Sequence, residues 1–327
     1  MNQVCSYSQY GDESVLDWQE IPDRLPQANQ VIVKVSAVSV NPVDWKIMAG
    51  EQSLFTGRSC IRPRIFGSDF AGVIQAVGNP AKATKHGLHI GTSVMGMVNP
   101  LVAGSFQKKL CVDIKNCVPL PPGTDLIHAA GMPAAGTTAW RVVKPLIAAR
   151  WAHQTILLNG AAGGVGTLIL QMLAARGATV LATASASRHA LLQELGAAQC
   201  LDYNDPTAVQ ASAPWDALLD CHGGFLHLGI RDFVKPGGRY VPVSIPNSDI
   251  LGTLIKFLPN LCLHGIHSGV VLASPSQAIL KQLAVMLHNH ELQVPIDQIF
   301  NQSQLKPAVQ RSIAGHVAGK IIIRFDE

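Results

Sequence analysis

The chain has 327 residues, 48% of them hydrophobic and 14% charged, and its 25 Lys+Arg against 21 Asp+Glu give a formal net charge of +4. That length provides two cores at roughly 100–200 residues per domain, and intrinsic disorder is excluded because it needs low hydrophobicity with high net charge. Average soluble domains are about 25% charged, so much of this surface is neutral, and the basic excess forms no stripe of the kind that binds nucleic acid.

In chain order, Val31-Ile32-Val33-Lys34-Val35 and Gly72-Val73-Ile74-Gln75-Ala76-Val77 are β-branched runs bounded by turn residues, which predicts a mainly β module over residues 1–125. The densest basic stretch, Arg58, Arg62 and Arg64, reads as a solvated loop within it. From Leu126 the pattern becomes strand, helix, strand, helix, the signature of a doubly wound parallel sheet, predicted over 126–271. Its strands are Thr155–Leu158, Thr179–Thr183, Cys200–Tyr203, Ala217–Asp220 and Gly238–Val243, the last entered through a turn at Pro236-Gly237-Gly238. Its helices are Val165–Arg176 and Arg188–Leu195, the second closed by Gly196 as C-cap. A helix over Ser276–His288 and a strand over Lys320–Phe325 complete the chain within 272–327. No run reaches the roughly 18 apolar residues of a membrane span. Asp12, Glu13, Asp17 and Glu20 occupy the place of a basic-then-apolar leader, so the expectation is a soluble, cytoplasmic protein. The cysteines Cys5, Cys60, Cys111, Cys117, Cys200, Cys221 and Cys262 are scattered without a C-x-x-C pair. They read as small buried hydrophobes in a reducing compartment, with no disulfide framework or zinc knuckle.

The strongest local signal is Asn159-Gly160-Ala161-Ala162-Gly163-Gly164-Val165-Gly166, at the end of one strand and the start of the next helix. Gly160, Gly163 and Gly166 form a G-x-x-G-x-x-G variant of the dinucleotide fingerprint. One glycine makes the tight turn, one lets the pyrophosphate approach, and one lets helix and strand pack closely. The backbone N–H groups of Gly164, Val165 and Gly166, at the positive end of the helix, would hold the anion. An NAD site normally places a carboxylate about 20 residues further on, at the ribose 2′-OH. Here that stretch is Thr183-Ala184-Ser185-Ala186-Ser187-Arg188-His189, with hydroxyls and a guanidinium, so Ser185 and Arg188 predict a 2′-phosphate and the coenzyme NADPH. Ser185 or Ser187 capping the following helix is the structural alternative.

Several stretches together resemble the medium-chain dehydrogenase/reductase superfamily, and within it the zinc-independent, zeta-crystallin-like quinone oxidoreductase branch. They are Val40-Asn41-Pro42-Val43-Asp44-Trp45-Lys46, Gly67-Ser68-Asp69-Phe70-Ala71-Gly72, Pro133-Ala134-Ala135-Gly136-Thr137-Thr138-Ala139, the glycine loop, Leu195-Gly196-Ala197 and Gly319-Lys320. The resemblance implies an α/β protein: a GroES-like mainly β catalytic domain, a Rossmann doubly wound sheet inserted after it, and a C-terminal return to the catalytic domain over 272–327. It places Thr137 against the nicotinamide or its ribose, Tyr203 on the adenosine near the 2′-phosphate, and Lys320 among the coenzyme-binding residues. Where the zinc enzymes carry metal ligands, this chain has Asn41 and Ser68, whose amide and hydroxyl are poor zinc ligands. The four-cysteine structural lobe is missing. His86/His89 and His288/His290 read as surface pairs, and no metal is expected.

Hydride transfer to an electron-poor acceptor needs little Lewis-acid help, so the expected substrate is a quinone or an α,β-unsaturated carbonyl. Asn41 is the candidate to donate its amide N–H to the acceptor oxygen, with an Asx turn into Pro42 as the alternative. Asp44 and Lys46 are expected to pair as scaffold, and no proton donor stands out. Many relatives carry Arg and then Tyr in the next segment, where this chain has Met48 and Glu51-Gln52, so the substrate pocket differs. Two other readings stay open: a metal-dependent alcohol or sugar dehydrogenase, and a non-enzymatic NADPH-binding structural or nucleic-acid-binding protein. In the superfamily that the chain resembles, the last strand of the nucleotide-binding sheet often pairs across a two-fold axis, and the low-charge run Asn260–Ile266 lacks the charges that protect an unpaired edge, so the resemblance implies a homodimer.

Overall fold

The computed structural model describes residues 1–51, 57, 60, 62–148, 152–223, 232–243, 267–268 and 274–326. The chain divides into two units, Met1–Thr137 with Ala273–Glu327, and Thr138–Leu272. Along the first unit run β1 (Asn2–Tyr7), β2 (Asp17–Ile21), β3 (Gln30–Val40), α1 (Pro42–Met48), β4 (Arg64–Ile65) and β5 (Asp69–Val77). They are followed by α2 (Pro80–Thr84), β6 (Ser93–Met97), β7 (Lys109–Asp113), β8 (Cys117–Pro119), α3 (Leu126–Gly131) and α4 (Pro133–Ala148), whose sequence crosses into the second unit. There follow β9 (Thr155–Asn159), α5 (Gly164–Ala174), β10 (Thr179–Ala184), α6 (His189–Glu194), β11 (Gln199–Asp202), α7 (Pro206–Ala211), β12 (Trp215–Asp220), β13 (Val234–Pro242) and β14 (His267–Ser268). The chain closes with α8 (Gln277–His288), β15 (Ile296–Asn301), α9 (Leu305–Ile313) and β16 (Lys320–Arg324) in the first unit.

The first unit is built on a seven-stranded sheet of order β15-β16-β3-β5-β6-β8, with β7 also on β3, beside a three-stranded sheet of order β2-β1-β4. The two runs read from the sequence lie inside β3 and β5, which pair antiparallel. The C-terminal β16 pairs antiparallel with β3, setting Ile321 opposite Val40. Phe66 and Phe106 meet edge to face at 5.0 Å in the buried core. α3 packs on β3 and β5, so the division between units falls after Thr137, later than the change of pattern at Leu126. Arg64 departs from the solvated-loop reading: it lies in β4, half-buried, and donates to the Leu101 carbonyl at 3.1 Å.

The second unit is a six-stranded sheet of order β11-β10-β9-β12-β13-β14, parallel throughout. Strand order reverses between β9 and β12, the switch point beside which doubly wound sheets bind ligands. Leu157, Leu218, Trp215 and Tyr240 fill its core. β13 begins earlier than the sequence suggests, because Pro236-Gly237-Gly238 forms a bulge inside the strand: Trp215 pairs with Val234 and Ala217 with Arg239. Gly237 takes φ +76° there, a conformation that favours glycine. The run Asn260–Ile266 lies outside the described residues, as does Arg58. Among the described residues no helix is long and apolar enough to cross a membrane.

β3 and β5 approach most closely at Gly72, where a Cβ would collide with the Lys34 carbonyl oxygen and sit 2.9 Å from the Val35 Cα. Backbone cannot yield there as a side chain can. Gly72→Ala is expected to destabilise the fold by about 1–3 kcal/mol, read as a lowered midpoint of denaturant unfolding; an unchanged midpoint contradicts the packing described.

Candidate functional site

Two clusters of chemistry-bearing residues form, one in each unit. In the first, the end of β3, the start of α1, the start of β5, the α3–α4 junction and the start of β16 bring together Ser39, Asn41, Asp44, Ser68, Asp69 and Lys320, all buried. Asp69 Oδ2 accepts from the Ser39 hydroxyl at 2.8 Å and the Asn41 amide at 3.0 Å, and its Oδ1 accepts from the Ala134 N–H at 2.9 Å. The Lys320 ammonium donates to Asn41 Oδ1 and lies 3.8 Å from Asp69 Oδ2. Asp44 accepts the backbone N–H of Asn41 through Oδ2 at 2.8 Å, while its Oδ1 has no hydrogen-bond partner.

Three buried ionisable groups share this space, two acids and one base. Burial pushes the Asp69 carboxyl above its usual range against the pull of Lys320, and pushes the Lys320 ammonium below its own against the pull of Asp69. Burial first, and then the charge of Asp69, push Asp44 up to about 7. Asp69 has three hydrogen-bond donors and the ammonium, whereas Asp44 has the Asn41 N–H and the Ser68 hydroxyl.

These contacts bear on three expectations. The Asn41 amide faces Ser39 Oγ (3.3 Å), Ser68 Oγ (3.2 Å) and Asp69 Oδ2 inside the protein, so it is engaged in positioning the cluster and its N–H groups are not free for an acceptor oxygen. Asp44 does not pair with Lys46; it bonds the chain at the head of α1, and Lys46 lies over the Trp45 ring at 5.7 Å. The Lys320 ammonium, 5% exposed, is engaged with Asn41 and Asp69. Thr137 is fully buried and its hydroxyl has no hydrogen-bond partner. His86 is half-buried and bonds Gln277 at 3.0 Å, while His89, His288 and His290 are exposed. Of the described cysteines, all free, Cys5 and Cys117 are buried, and Cys60, Cys111, Cys200 and Cys221 are half-buried.

In the second unit the glycine turn joins β9 to α5 at the switch point. Gly160 takes φ +74°, and a Cβ there would press on His222 at 3.1 Å. A Cβ on Gly166 would collide with the Gly160 carbonyl and sit 2.8 Å from the Ala161 Cα, so this glycine serves close packing of helix on turn. Gly163 is different: a Cβ would meet only the Gly160 oxygen, at 3.6 Å, leaving open space above it. Gly163 caps α5 without a side-chain oxygen, and the first bond back along the helix is Thr167 N–H to the Gly163 carbonyl. The amides of Gly164, Val165 and Gly166 precede that bond, at the positive end of the helix. Gly163, Gly164 and Val165 are half-buried and Gly166 buried. The turn therefore has the steric room and the donors that a pyrophosphate needs.

At the end of β10, Ser185 is half-buried with its hydroxyl 3.2 Å from that of Ser187, and Arg188 is half-buried one turn on. Tyr203, just after β11, is 42% exposed. Thr183 is not part of this hydroxyl group: it is 1% exposed, and its Oγ1 accepts from the Gly160 N–H at 3.2 Å. Parallel pairing adds a carboxylate that the linear stretch lacks, because Asp202 stands opposite Ala184. Asp202 accepts from the backbone N–H and the amide of Asn204 at 2.8 and 2.9 Å, and the Asn204 N–H leads the contacts that hold its carboxyl below the usual range. Strand pairing, which sequence spacing does not reveal, is what brings it there.

The raised Asp44 carboxyl has a signed consequence for stability. A folded carboxyl that keeps its proton up to about 7, against an ordinary value near 3.9, makes the folded state bind more protons than the unfolded one between those pH values. Stability then falls as pH rises through that window and is flat above it. Asp44→Asn, which imitates the protonated acid, is expected to remove this contribution: the melting temperature of the wild type should drop relative to the variant from pH 5 to 7. A constant difference across that range contradicts the assignment.

Comparison with known proteins agrees with both units. Residues 27–122 match the family described as Alcohol dehydrogenase GroES-like domain, and residues 195–323 the one described as Zinc-binding dehydrogenase. The chain is 28% identical to the mitochondrial NAD(P)H oxidoreductase RTN4IP1 of Drosophila melanogaster, over 97% of this chain and 85% of that protein. It is 29% identical to the trans-enoyl reductase pgmF of Aspergillus terreus, over 91% of this chain and 87% of that one. The structure of the quinone oxidoreductase from Coxiella burnetii superposes with a TM-score of 0.86 at 27% identity, covering 99% of each chain. With the GroES-like sheet, the doubly wound sheet and the glycine turn in place, the chain belongs to the medium-chain dehydrogenase/reductase superfamily of oxidoreductases, in its quinone oxidoreductase branch.

Proposed function

We propose that the protein is an NADPH-dependent reductase that delivers hydride to a quinone or to the β-carbon of an α,β-unsaturated carbonyl, with no metal taking part. The observation that carries this reading is the open face of Gly163 beside the first-turn amides of α5, with Ser185, Ser187 and Arg188 at the end of the neighbouring strand. The backbone N–H groups of Gly164, Val165 and Gly166 would hold the pyrophosphate, with Gly160 and Gly163 shaping the turn that admits it. Ser185 and Arg188 would hold the 2′-phosphate through charge-assisted bonds, and Tyr203 would offer its ring to the adenosine. The bound coenzyme supplies the hydride. The names of similar proteins, a quinone oxidoreductase and a trans-enoyl reductase, support these two acceptor classes.

The residues do not fit a catalytic zinc. The carbonyl of Asn41 accepts from Lys320 and its amide faces Ser68, so the two positions that resemble ligand positions are bonded within the protein. An ammonium at that place also repels a dication. Among the described residues no group of three His, Cys, Asp or Glu side chains converges as metal ligands would.

A second reading rests on Asp202. If its carboxylate reached the ribose 2′-OH, the coenzyme would be NADH; its engagement with Asn204 favours NADPH. Steady-state oxidation of both coenzymes with ortho- and para-quinones and 2-alkenals decides the matter. The expected result is turnover with a Michaelis constant at least about tenfold lower for NADPH, and preference for NADH overturns the coenzyme assignment. Gly163→Ala is expected to weaken NADPH binding about tenfold (~1.4 kcal/mol) while leaving the melting temperature unchanged. Undiminished NADPH affinity would mean that the pyrophosphate lies elsewhere.

A further inference from the structure

Beneath the glycine turn runs a chain of buried polar groups that the fingerprint does not include. The Gly160 N–H donates to Thr183 Oγ1 (3.2 Å), the Thr183 hydroxyl donates to Asn159 Oδ1 (2.7 Å), and the Asn159 amide donates to Asp220 Oδ1 (2.7 Å). Asp220 Oδ1 also accepts the Gly223 N–H at 2.7 Å, and Oδ2 accepts from the Tyr240 hydroxyl at 3.4 Å. Thr183 and Asp220 are 1% and 0% exposed, and Asn159 is buried with them. The direction of each bond is fixed at both ends. A backbone N–H can only donate, so Thr183 must accept with its oxygen and pass its single hydrogen to Asn159. The Asn159 amide is then oriented with its nitrogen toward the carboxylate.

The chain joins the two rims of the switch-point crevice. One rim is the glycine turn after β9, and the other is Cys221–Gly223 after β12; these strands are neighbours, paired through Asn159 and Asp220. The Cys221 N–H bonds the Asn159 carbonyl at 2.9 Å, and His222 lies where a Gly160 side chain would stand. Gly160 sits in the left-handed region, so its peptide plane is held by what its N–H meets. Gly160 is half-buried, and loss of the Thr183 acceptor leaves its N–H without a protein partner and frees the plane to turn.

We propose that Asp220, acting through Asn159 and Thr183, is a positioning residue that sets the direction of the Gly160 peptide and with it the shape of the phosphate-binding turn. None of the three touches the phosphate in this account. The inference rests on the coenzyme reading above and deepens it: affinity for the dinucleotide is governed by a buried carboxylate two side chains away from the turn.

The test compares Thr183→Val, Thr183→Ser and Asp220→Ala in the full chain by titration with NADPH, with kinetics on one quinone. Thr183→Val keeps the side-chain shape and deletes the hydroxyl, and should weaken NADPH binding about tenfold and raise its Michaelis constant in parallel. The Michaelis constant for the quinone should stay unchanged, which general loosening of the fold would not allow. Thr183→Ser restores the hydroxyl and should bind within about twofold of wild type. Asp220→Ala, which deletes the acceptor of the Asn159 amide, should also weaken NADPH, and the double variant Thr183→Val/Asp220→Ala should be no weaker than its weaker parent, because both changes cut one chain. NADPH binding by Thr183→Val equal to wild type, equal losses in the Val and Ser variants, or full additivity in the double variant overturns this inference alone. Absence of NADPH binding by the wild type overturns the coenzyme reading and this inference with it. If Thr183→Val does not fold, Asp220→Ala decides: unaltered NADPH affinity there overturns the proposal.

Discussion

The first unit depends on one buried ammonium. Lys320, at the start of the last strand, meets Asp69 and Asn41 from strands laid down early in the chain. Asp69 is fully buried, and removing one partner of such a pair typically costs about 3–5 kcal/mol because a charge is left uncompensated. The same contact ties the C-terminal strand to the ends of β3 and β5, so the return of the chain to its first unit is set by electrostatics as well as by Ile321–Ile323 filling the core. One base against two acids also leaves the cluster short of positive charge, and burial together with the charge of Asp69 pushes the Asp44 carboxyl up to about 7.

The second unit solves a different problem with a chain of hydrogen bonds. A turn that receives an anion must leave its own amides unbonded on one side while being held firmly on the other. Gly163 and the first turn of α5 provide the open side, and Thr183, Asn159 and Asp220 the held side. The glycines of the fingerprint divide accordingly, with Gly166 needed for packing, Gly160 for its backbone conformation and Gly163 for access.

Much of this was legible from the sequence. The β-branched runs became β3 and β5, the strand–turn–helix around Gly160–Gly166 appeared within two residues of its predicted ends, and the parallel order of the second sheet followed from the alternation of strands and helices. What stayed hidden depends on pairing between distant segments. Asp69 and Lys320 were visible only as parts of separate motifs, and nothing in their spacing says that they meet. Asn41 looked like a free donor because a sequence shows its amide but not the three oxygen atoms around it. Asp202 is absent from the stretch that follows β10 in the chain, and the sheet brings its carboxylate in from β11. The bulge at Pro236-Gly237-Gly238 was read as a boundary because the same residues end strands more often than they interrupt them.

The central claim is that the glycine turn and the end of β10 together hold a phosphorylated dinucleotide. Hydrogen–deuterium exchange of the protein with and without saturating NADPH tests it without relying on turnover. The account predicts slowed exchange in the segments 160–167 and 184–189, where backbone amides and the serine-rich turn would close on phosphate. Coenzyme-dependent protection that leaves both segments unchanged while appearing elsewhere would contradict it.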